Sequence, residues 1–280
     1  MNIKIIADST CDLPAQLLAD HNITLAPLTV VKGDEQFKDG VTITPAEIFA
    51  HVAAGGALCS TAAVSIGEYE DLYEQFHADY DGILVITIGS GFSACYQNAC
   101  LAAEEYPNVR VIDTQNLTAG QGLVALKACA LAKEATDLDL LADDLRAFSL
   151  RIESSFLVEK LDYLVKGGRC SSAAALGANL LNLKPCIEVK DGKMGVGKKY
   201  RGVYAKCLAN YVKERLADRE DIDRDVLFIA RTELSAECFD AVMNAIQIHG
   251  GFKHVYDAPA GCTVSCHCGP GTLGLMFVRK

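Results

Sequence analysis

Short apolar, β-rich runs alternate with helical segments through the first half of the chain, and this alternation restricts the possible folds more than any other feature. The runs cover residues 3–7, 25–31, 83–88 and 109–112. Helix-length connections between such runs are typical of parallel strands, which a tight turn cannot join. The pattern predicts an α/β fold whose first domain is a three-layer α/β/α parallel sheet.

Local signals mark both the helix starts and one edge of this sheet. Thr44 and Ser65 are each followed three residues later by a glutamate, which is the pattern of a capping box. Small polar residues follow three of the predicted strands, at 8–10, 89–91 and 113–114. Because ligands of α/β proteins bind at the carboxyl ends of parallel strands, these residues predict a ligand-binding edge.

After residue 152 the pattern changes to one typical of a mixed sheet. Apolar runs at 186–189 and 194–198 flank the turn dipeptide Asp191-Gly192, which predicts a β-hairpin. The remaining predicted strands are at 226–230, 254–257, 263–266 and 273–278, and the helices are near 203–217 and 234–249. We therefore expect two domains, residues 1–152 with the parallel sheet and residues 153–280 with a two-layer α/β mixed sheet.

Two uncharged segments need separate treatment. Residues 258–278 contain no Asp, Glu, Lys or Arg and are long enough to cross a bilayer. Six Gly and Pro residues interrupt this segment, so we expect two short strands joined by a turn and no integral membrane segment. Residues 171–183 are predicted to form a helix buried on nearly every side, either as core packing or as the wall of an apolar tunnel.

Charge and cysteine content restrict the partners and the compartment. The net charge of -10 disfavours binding to nucleic acid or to an anionic membrane surface, since both repel an acidic protein. The apolar run at the amino terminus ends at Asp8 and is too short for the core of a secretory signal, which predicts a cytoplasmic protein. The 12 cysteines are then expected to be reduced, mostly buried thiols.

Five separated segments carry a resemblance that spans the chain. They are Asp-Ser-Thr-Cys-Asp-Leu-Pro at 8–14, Phe-Ser-Ala-Cys-Tyr-Gln-Asn-Ala at 92–99, residues 161–169 ending in Lys-Gly-Gly-Arg, Lys-Tyr-Arg-Gly at 199–202 and His-Cys-Gly-Pro-Gly at 267–271. In this order they resemble the segments of the DegV family of fatty-acid-binding proteins. No single segment identifies the family, but five in one chain make a chance match implausible.

The resemblance implies a two-domain fold similar to the substrate-binding domain of dihydroxyacetone kinase. It also implies that the protein encloses one long-chain fatty acid, such as palmitate, in a buried apolar tunnel. The carboxylate would meet the hydroxyls of Thr61 and Ser93 and the ring of His267 near the domain junction. A separate ATP-binding kinase subunit would phosphorylate that carboxylate to an acyl phosphate. The chain itself would be a binding protein without a cofactor, not an enzyme.

Two further points follow from the resemblance. Arg169 and Arg201 lie beside glycines of the matched segments and are candidates for docking the kinase; a structural ion pair is the alternative for each. Residues 62–64 read Ala-Ala-Val where the family usually has Ser-Gln-Pro. This departure leaves the geometry at the head group open.

The residues alone allow simpler roles. Ser93 precedes the helical run 94–105, where free N–H groups suit a carboxylate, but an ordinary helix cap is the commoner reason for a serine there. Thr61 without the resemblance is a loop hydroxyl bonded to nearby backbone. His267 alone is more often a core histidine, although its surroundings of Cys, Gly and Pro favour a polar role.

Rival functions use some of the same residues. Ser93, Asp113 and His267 occur in the order of a serine hydrolase triad, but no Gly-x-Ser-x-Gly elbow is present. Cys262, Cys266 and Cys268 raise the idea of a zinc site, which the absence of a Cys-x-x-Cys knuckle and the predicted strand at 263–266 disfavour. Gly-Ser-Gly at 89–91 matches neither a P-loop nor a dinucleotide fingerprint, so a phosphate site there has little support.

Overall fold

The computed structural model describes residues 1–175 and 183–280. The strands are β1 Ile3–Asp8, β2 Thr24–Ala26, β3 Thr29–Lys32, β4 Glu35–Lys38, β5 Ser60–Ala62, β6 Gly82–Thr87, β7 Val109–Asp113, β8 Ile152–Leu157, β9 Leu183–Lys190, β10 Lys193–Arg201, β11 Ile222–Arg231, β12 His254–Pro259 and β13 Leu273–Arg279. The helices are α1 Ala15–Asp20, α2 Pro45–Ala53, α3 Ile66–Phe76, α4 Cys95–Ala102, α5 Ala119–Ala132, α6 Leu138–Ser149, α7 Asp162–Gly167, α8 Ser171–Ala174, α9 Tyr204–Leu216, α10 Ala236–His249 and α11 Cys262–Cys268.

The first sheet is parallel throughout, as the sequence predicts. Its strand order is β2-β1-β6-β7, and each neighbouring pair runs parallel. The single strand predicted at 25–31 is wrong, because Pro27 separates β2 in this sheet from β3, which belongs to a small antiparallel sheet with β4 and β5. Proline lacks the N–H that a continuous strand would use, so the chain leaves one sheet and enters another.

The predicted helix starts in the first half are confirmed. Thr44 and Ser65 each accept from the N–H of the glutamate three residues later, and each glutamate carboxylate accepts from the N–H of the capping residue. The helical run predicted at 94–105 consists of α4 followed by a turn of 3-10 helix that ends at Glu105. These helices are therefore encoded locally.

The second sheet is mixed, with strand order β10-β9-β8-β13-β11-β12. Strands β11 and β12 run parallel, and the other neighbouring pairs are antiparallel. The hairpin predicted around Asp191 and Gly192 is confirmed: it joins β9 to β10, and the two turn residues have φ angles of 50° and 68°. Positive φ at both positions gives the tight turn that matches the twist of the strands.

Residues 263–266, predicted as a strand, are helical and belong to α11. The start of this helix is bound by a carboxylate from the first half of the chain. Asp39 accepts from the N–H of Cys262 at 2.7 Å and from the N–H of Thr263 at 3.1 Å. A distant side chain thus satisfies N–H groups that a helix start leaves free, which the local pattern could not indicate.

Helix α5 packs between the two large sheets. One apolar core contains Ile86 of β6 and Phe228 of β11 together with residues of α5. A Cβ atom on Gly122 would lie 2.8 Å from the carbonyl oxygen of Cys11, and one on Gly120 would lie 2.5 Å from the hydroxyl of Ser154. Glycine therefore allows the close approach on both sides of the helix. The division into domains 1–152 and 153–280 stays a prediction.

The uncharged segments have different outcomes. Of the helix predicted over 171–183, α8 is helical, whereas residues 176–182 lie outside the described residues. Within 258–278 the described elements are the end of β12, then α11, then β13. In the ranges 1–175 and 183–280, no helix is both long and apolar enough to span a membrane. The cysteines are free thiols, with Cys100 partly buried and the others buried, as the composition predicts.

Candidate functional site

A cavity lies at the carboxyl edge of the parallel sheet, where α11 covers it. Ile88 follows β6 and Leu117 follows β7, and both line this cavity. The lining from α11 is Thr263, Val264, His267 and Cys268. With the solvent at its mouth included, the space between the lining residues measures about 550 Å³. The cavity therefore lies at the predicted edge of the sheet, although the small polar residues at 8–10, 89–91 and 113–114 do not line it.

Thr61, Ser93 and His267 all line this cavity, although they come from three elements. Thr61 lies in β5, Ser93 lies just before α4, and His267 lies in the last turn of α11. The Oγ1 atom of Thr61 and the Nε2 atom of His267 are 2.8 Å apart and share a hydrogen bond. The fold thus joins two predicted residues that are far apart in the chain.

The ring of His267 is largely buried, and its charge state follows from that burial. Desolvation, and then the nearby positive charge of Arg169, lowers the pKa of His267 to about 4. Both effects disfavour the imidazolium, so the ring is neutral near pH 7. Its Nδ1 atom is buried and has no hydrogen-bond partner among the described residues. Nε2 of a neutral ring donates or accepts according to the tautomer, so it can pair with Thr61 in either way.

Ser93 makes hydrogen bonds at the start of α4. Its Oγ accepts from the N–H of Cys95 at 3.3 Å and donates to the Sγ of Cys95 at 3.2 Å. The cap residue of α4 is Ala94, so Ser93 bonds the first helical N–H from one position before the cap. A hydroxyl has one donor and two acceptor sites, so a ligand that accepts from Ser93 would replace only the contact with sulfur.

Arg169 lies at the cavity, whereas Arg201 lies away from it. Arg169 lines the cavity and is exposed, and it donates to the carbonyls of Phe92 at 3.3 Å and Gly167 at 2.8 Å. Arg201 is exposed at the end of β10. Neither guanidinium forms an ion pair with a residue in the described ranges. Their role in docking a kinase stays a prediction.

Sequence reasoning missed Thr263. Its side chain lines the cavity, the residue is 5% exposed, and its Oγ1 has no hydrogen-bond partner among the residues that the structure describes. A signal exists in the spacing, because residues four apart share one face of a helix and Thr263 lies four before His267. The strand predicted at 263–266 concealed that signal.

Three buried aspartates lie beside the cavity and were also missed as a group. Besides its bonds to α11, Asp39 accepts from the hydroxyl of Ser9 at 3.0 Å. Asp12 accepts from the N–H of Gly261 at 2.8 Å and from the hydroxyl of Thr118 at 2.6 Å. Asp8 accepts from the N–H of Ile88 at 2.7 Å. Burial raises the pKa of Asp8 and the pKa of Asp12.

The structure does not assemble the serine hydrolase triad. Asp113 accepts from the hydroxyl of Ser90 at 2.5 Å and from its N–H at 3.0 Å. His267 bonds Thr61 instead of Ser93, and the Nδ1 atom that a triad aspartate would bind has no partner in the described ranges. The contact with Asp113 also occupies the hydroxyl of Ser90, which belongs to the Gly-Ser-Gly segment at 89–91 that was considered for a phosphate site. Within 1–175 and 183–280, no group of three or more His, Cys, Asp or Glu side chains is arranged to hold a metal ion.

A second, smaller cavity adjoins the first. The space between its lining residues, with open solvent included, measures about 270 Å³, and it shares Leu117, Val264 and Cys268 with the larger one. Phe156 of β8 and Met276 of β13 form part of its remaining wall. Its lining contains none of the three predicted head-group residues. The shared side chains separate a part of the site with polar groups from a more apolar part.

Comparison with known proteins agrees with this architecture. The model of a family described as "Uncharacterised protein, DegV family" matches residues 2–280. A DegV domain-containing protein of Deinococcus radiodurans is 32% identical over 98% of both chains.

Solved structures give the same result. A structure described as fatty acid binding of a DegV family protein from Thermus thermophilus has a TM-score of 0.89, with 29% identity over 100% of both chains. A stearic-acid-binding protein of Eubacterium ventriosum has a TM-score of 0.84, with 26% identity over 99% of this chain and 98% of that one.

Proposed function

The chain belongs to the DegV family, and we propose that it binds one long-chain fatty acid in the two adjoining cavities and presents the carboxylate to a kinase. The observation that carries this proposal is the larger cavity itself, which combines an apolar lining with hydroxyl groups and a neutral imidazole. A fatty acid has the matching chemistry, because it joins a long apolar chain to one small polar group. The two solved relatives described as binding fatty acids support the same ligand class.

The apolar lining supports binding of the acyl chain. Leu28, Phe92, Leu164 and Met194 line the larger cavity together with the shared Leu117, Val264 and Cys268. Each buried methylene contributes about 0.8 kcal/mol, so a chain of palmitate length contributes roughly ten. We propose that the tail continues past the three shared side chains into the second cavity, toward Phe156 and Met276.

The polar groups support binding of the carboxylate. Thr61 and Ser93 would donate hydroxyl hydrogens to its two oxygens, and hydrogen bonds to a charged group contribute about 1.5–3 kcal/mol each. His267 would orient the hydroxyl of Thr61 through their existing contact. Because the imidazole is neutral, the carboxylate keeps its negative charge and its ability to attack a phosphoryl group. The proposed site therefore binds the head group without deactivating it.

Presentation to a kinase relies mainly on the family resemblance. The sequence contains no P-loop motif, and we propose that the phosphoryl group comes from a separate ATP-binding subunit. Arg169 lies two residues before α8, and α8 packs on β10, where the N–H of Val196 donates to the hydroxyl of Ser172 at 3.1 Å. Arg201 is the last residue of β10, so each of the two exposed cations lies at one end of the surface that α8 and β10 form. We propose this surface, beside the cavity that contains the carboxylate, as the docking site of the ATP-binding subunit.

Native mass spectrometry of the purified protein tests the binding proposal. We expect a mass increment equal to one C14–C18 fatty acid, which lipid extraction then identifies. Delipidated protein should take up the same acid from solution. If the purified protein releases no fatty acid and the delipidated form binds none, the proposal is wrong. An ester-hydrolysis assay on the same sample serves as the control, since turnover abolished by Ser93→Ala would support a hydrolase instead.

A further inference from the structure

We infer that Thr263 is an additional head-group residue whose hydroxyl donates to the carboxylate of the bound fatty acid. The inference rests on the proposed function and deepens it, because neither the family resemblance nor the sequence pattern pointed to this residue. It follows from three observations. The hydroxyl of Thr263 is buried and unpaired, it lies on the helix face that lines the cavity, and the other hydroxyls there already form hydrogen bonds within the protein.

The first observation is that the hydroxyl of Thr263 is buried but unpaired. The residue is 5% exposed, and its Oγ1 finds no hydrogen-bond partner in the part of the chain that the structure describes. The large majority of buried polar side-chain atoms in folded proteins are paired, and leaving one unpaired costs about 1–3 kcal/mol. A ligand that accepts a hydrogen bond at this position would remove that cost.

The local backbone explains why the protein does not pair this hydroxyl itself. A threonine inside a helix commonly bonds the carbonyl four residues earlier. Thr263 lies in the first turn of α11, so the residue four earlier is Pro259, which lies in β12 and outside the helix. The N–H of Thr263 is held by Asp39 at 3.1 Å, which fixes the backbone of this turn. The backbone of Thr263 is therefore held at the cavity, while its hydroxyl has no acceptor among the described residues.

The second observation is that unpaired polar atoms are concentrated on one face of α11. Among the described residues, the buried side-chain atoms without partners belong to His51, Tyr69, Thr263 and His267. The last two are one helical turn apart and both line the larger cavity, together with Val264 and Cys268. Neither His51 nor Tyr69 lines that cavity. The unmet polar groups therefore coincide with the proposed head-group region.

The third observation concerns competition among the hydroxyls. Thr61 shares a hydrogen bond with the ring of His267, so its hydroxyl hydrogen is free for a ligand only in the tautomer whose Nε2–H donates to Thr61. Ser93 already bonds Cys95 through both its oxygen and its hydrogen. Thr263 has no such bond to give up, so it can donate to a carboxylate oxygen without breaking a contact within the protein. A carboxylate has two oxygens that accept several hydrogen bonds, so Thr263 adds to the predicted pair.

The variant Thr263→Val tests this inference, because it removes the hydroxyl and keeps the shape of the side chain. Delipidated wild type and variant are titrated with hexadecanoic acid and with hexadecanol, which has the same chain length but no carboxylate. We expect the affinity for the acid to fall about tenfold or more, as loss of a hydrogen bond to a charged group predicts. The affinity for the alcohol should fall by a smaller factor, because a hydrogen bond to a neutral group contributes about 0.5–1.5 kcal/mol, and the melting temperature of the delipidated variant should not fall.

Two further variants serve as controls. Thr263→Ser keeps the hydroxyl and should bind the acid like the wild type. Thr232→Val is the matched control, because Thr232 is also buried, lines only the second cavity and donates to the carbonyl of Gly269 at 2.8 Å. That change should lower the melting temperature without a selective loss of acid over alcohol.

Other outcomes contradict the inference. Equal affinity of wild type and Thr263→Val for the acid would overturn it, as would a loss that is the same for acid and alcohol. If Thr263→Val does not fold, Thr263→Ser and Thr263→Ala decide the question by the same ratio of acid to alcohol affinity. A wild type that takes up neither ligand refutes the proposed function itself, which is thereby distinguished from failure of the role of Thr263 alone.

Discussion

Two buried polar clusters lie at the same edge of the parallel sheet, and they differ in whether their atoms are paired. In the aspartate cluster, Asp39 is bonded by two N–H groups of α11 and by the hydroxyl of Ser9, and Asp12 is bonded by Gly261 and Thr118. In the cavity, an atom of Thr263 and one of His267 have no partner in the described residues. The paired cluster can fix the fold, whereas the unpaired one is suited to receive a ligand.

The largest expected effect comes from breaking the paired cluster. Asp39→Ala removes the acceptor of two N–H groups and one hydroxyl, and each buried group left without a partner costs about 1–3 kcal/mol. We expect the free energy of unfolding to fall by about 3 kcal/mol or more, measured by urea denaturation. Asp39→Asn, which keeps one carbonyl oxygen, should lose less. A loss below about 1 kcal/mol for Asp39→Ala would contradict the structural role of this cluster.

The dependence of stability on pH separates the two clusters by sign. The folded state holds the pKa of His267 at about 4, below its ordinary value of 6.5. Between these values the unfolded state binds a proton that the folded state does not, so this residue makes stability fall as pH drops from 6.5 to 4, by up to about 3 kcal/mol. We expect the difference in free energy of unfolding between wild type and His267→Gln to show this slope when denaturation is measured at several pH values across that range. A flat difference would show that the ring is not desolvated.

The aspartate cluster has the opposite sign. Burial raises the pKa of Asp12 above its ordinary value of 3.8, so the folded state keeps a proton that the unfolded state releases. The contribution of Asp12 to stability is therefore largest at low pH and is lost as pH rises above about 4, toward the raised pKa. Asp12→Asn should remove this loss at neutral pH.

Much of the fold follows from local sequence, and the exceptions have identifiable causes. The capping boxes at Thr44 and Ser65 and the hairpin at Asp191 depend on residues within a few positions, and they form as predicted. The strand boundary at Pro27 is also encoded locally, because proline lacks the N–H that a continuous strand would use. The helix α11 was not predictable in this way, because Asp39 caps it from the other half of the chain.

That one error explains what was missed in the site. Motifs of the family placed Thr61, Ser93 and His267, and all three line one cavity. A strand would hold Thr263 and His267 about 13 Å apart along its length, whereas the helix α11 brings them within one turn of each other. Only the hydrogen-bond pattern shows that Thr263 is unpaired. Local sequence therefore does not show which helix is capped by a distant side chain or which buried polar atom has no partner.

A smaller effect is expected from the hydroxyls of the cavity. Thr61→Ala should weaken binding of a long-chain fatty acid by about 1.5–3 kcal/mol, because it removes a hydrogen bond to a charged group. Ser93→Ala should weaken it less, since Ser93 must give up its contact with Cys95 to donate to the ligand. Delipidated Ser93→Ala should melt close to the wild type. Delipidated Thr61→Ala should melt somewhat lower, because the Nε2 atom of His267 loses its partner, but its loss should stay below that of Asp39→Ala. Unchanged affinity in both would assign these hydroxyls to local structure and leave the carboxylate without its proposed donors.

The smallest effect on stability is expected at the surface, where an unpaired charge remains in water. Arg201 is exposed and forms no ion pair with the described residues, so Arg201→Ala should change the free energy of unfolding by less than about 0.5 kcal/mol. Fatty-acid affinity should also be unchanged, because Arg201 does not line the cavity. If Arg201 docks the kinase, acyl-phosphate formation with the cognate kinase should nevertheless fall, since arginine is a frequent interface anchor. Lys213→Ala, which removes an exposed cation of α9, is the control and should leave turnover unchanged.

Equal turnover by Arg201→Ala and wild type would rule out docking through this residue. A loss of several kcal/mol in the free energy of unfolding would instead show that Arg201 has a structural ion-pair partner.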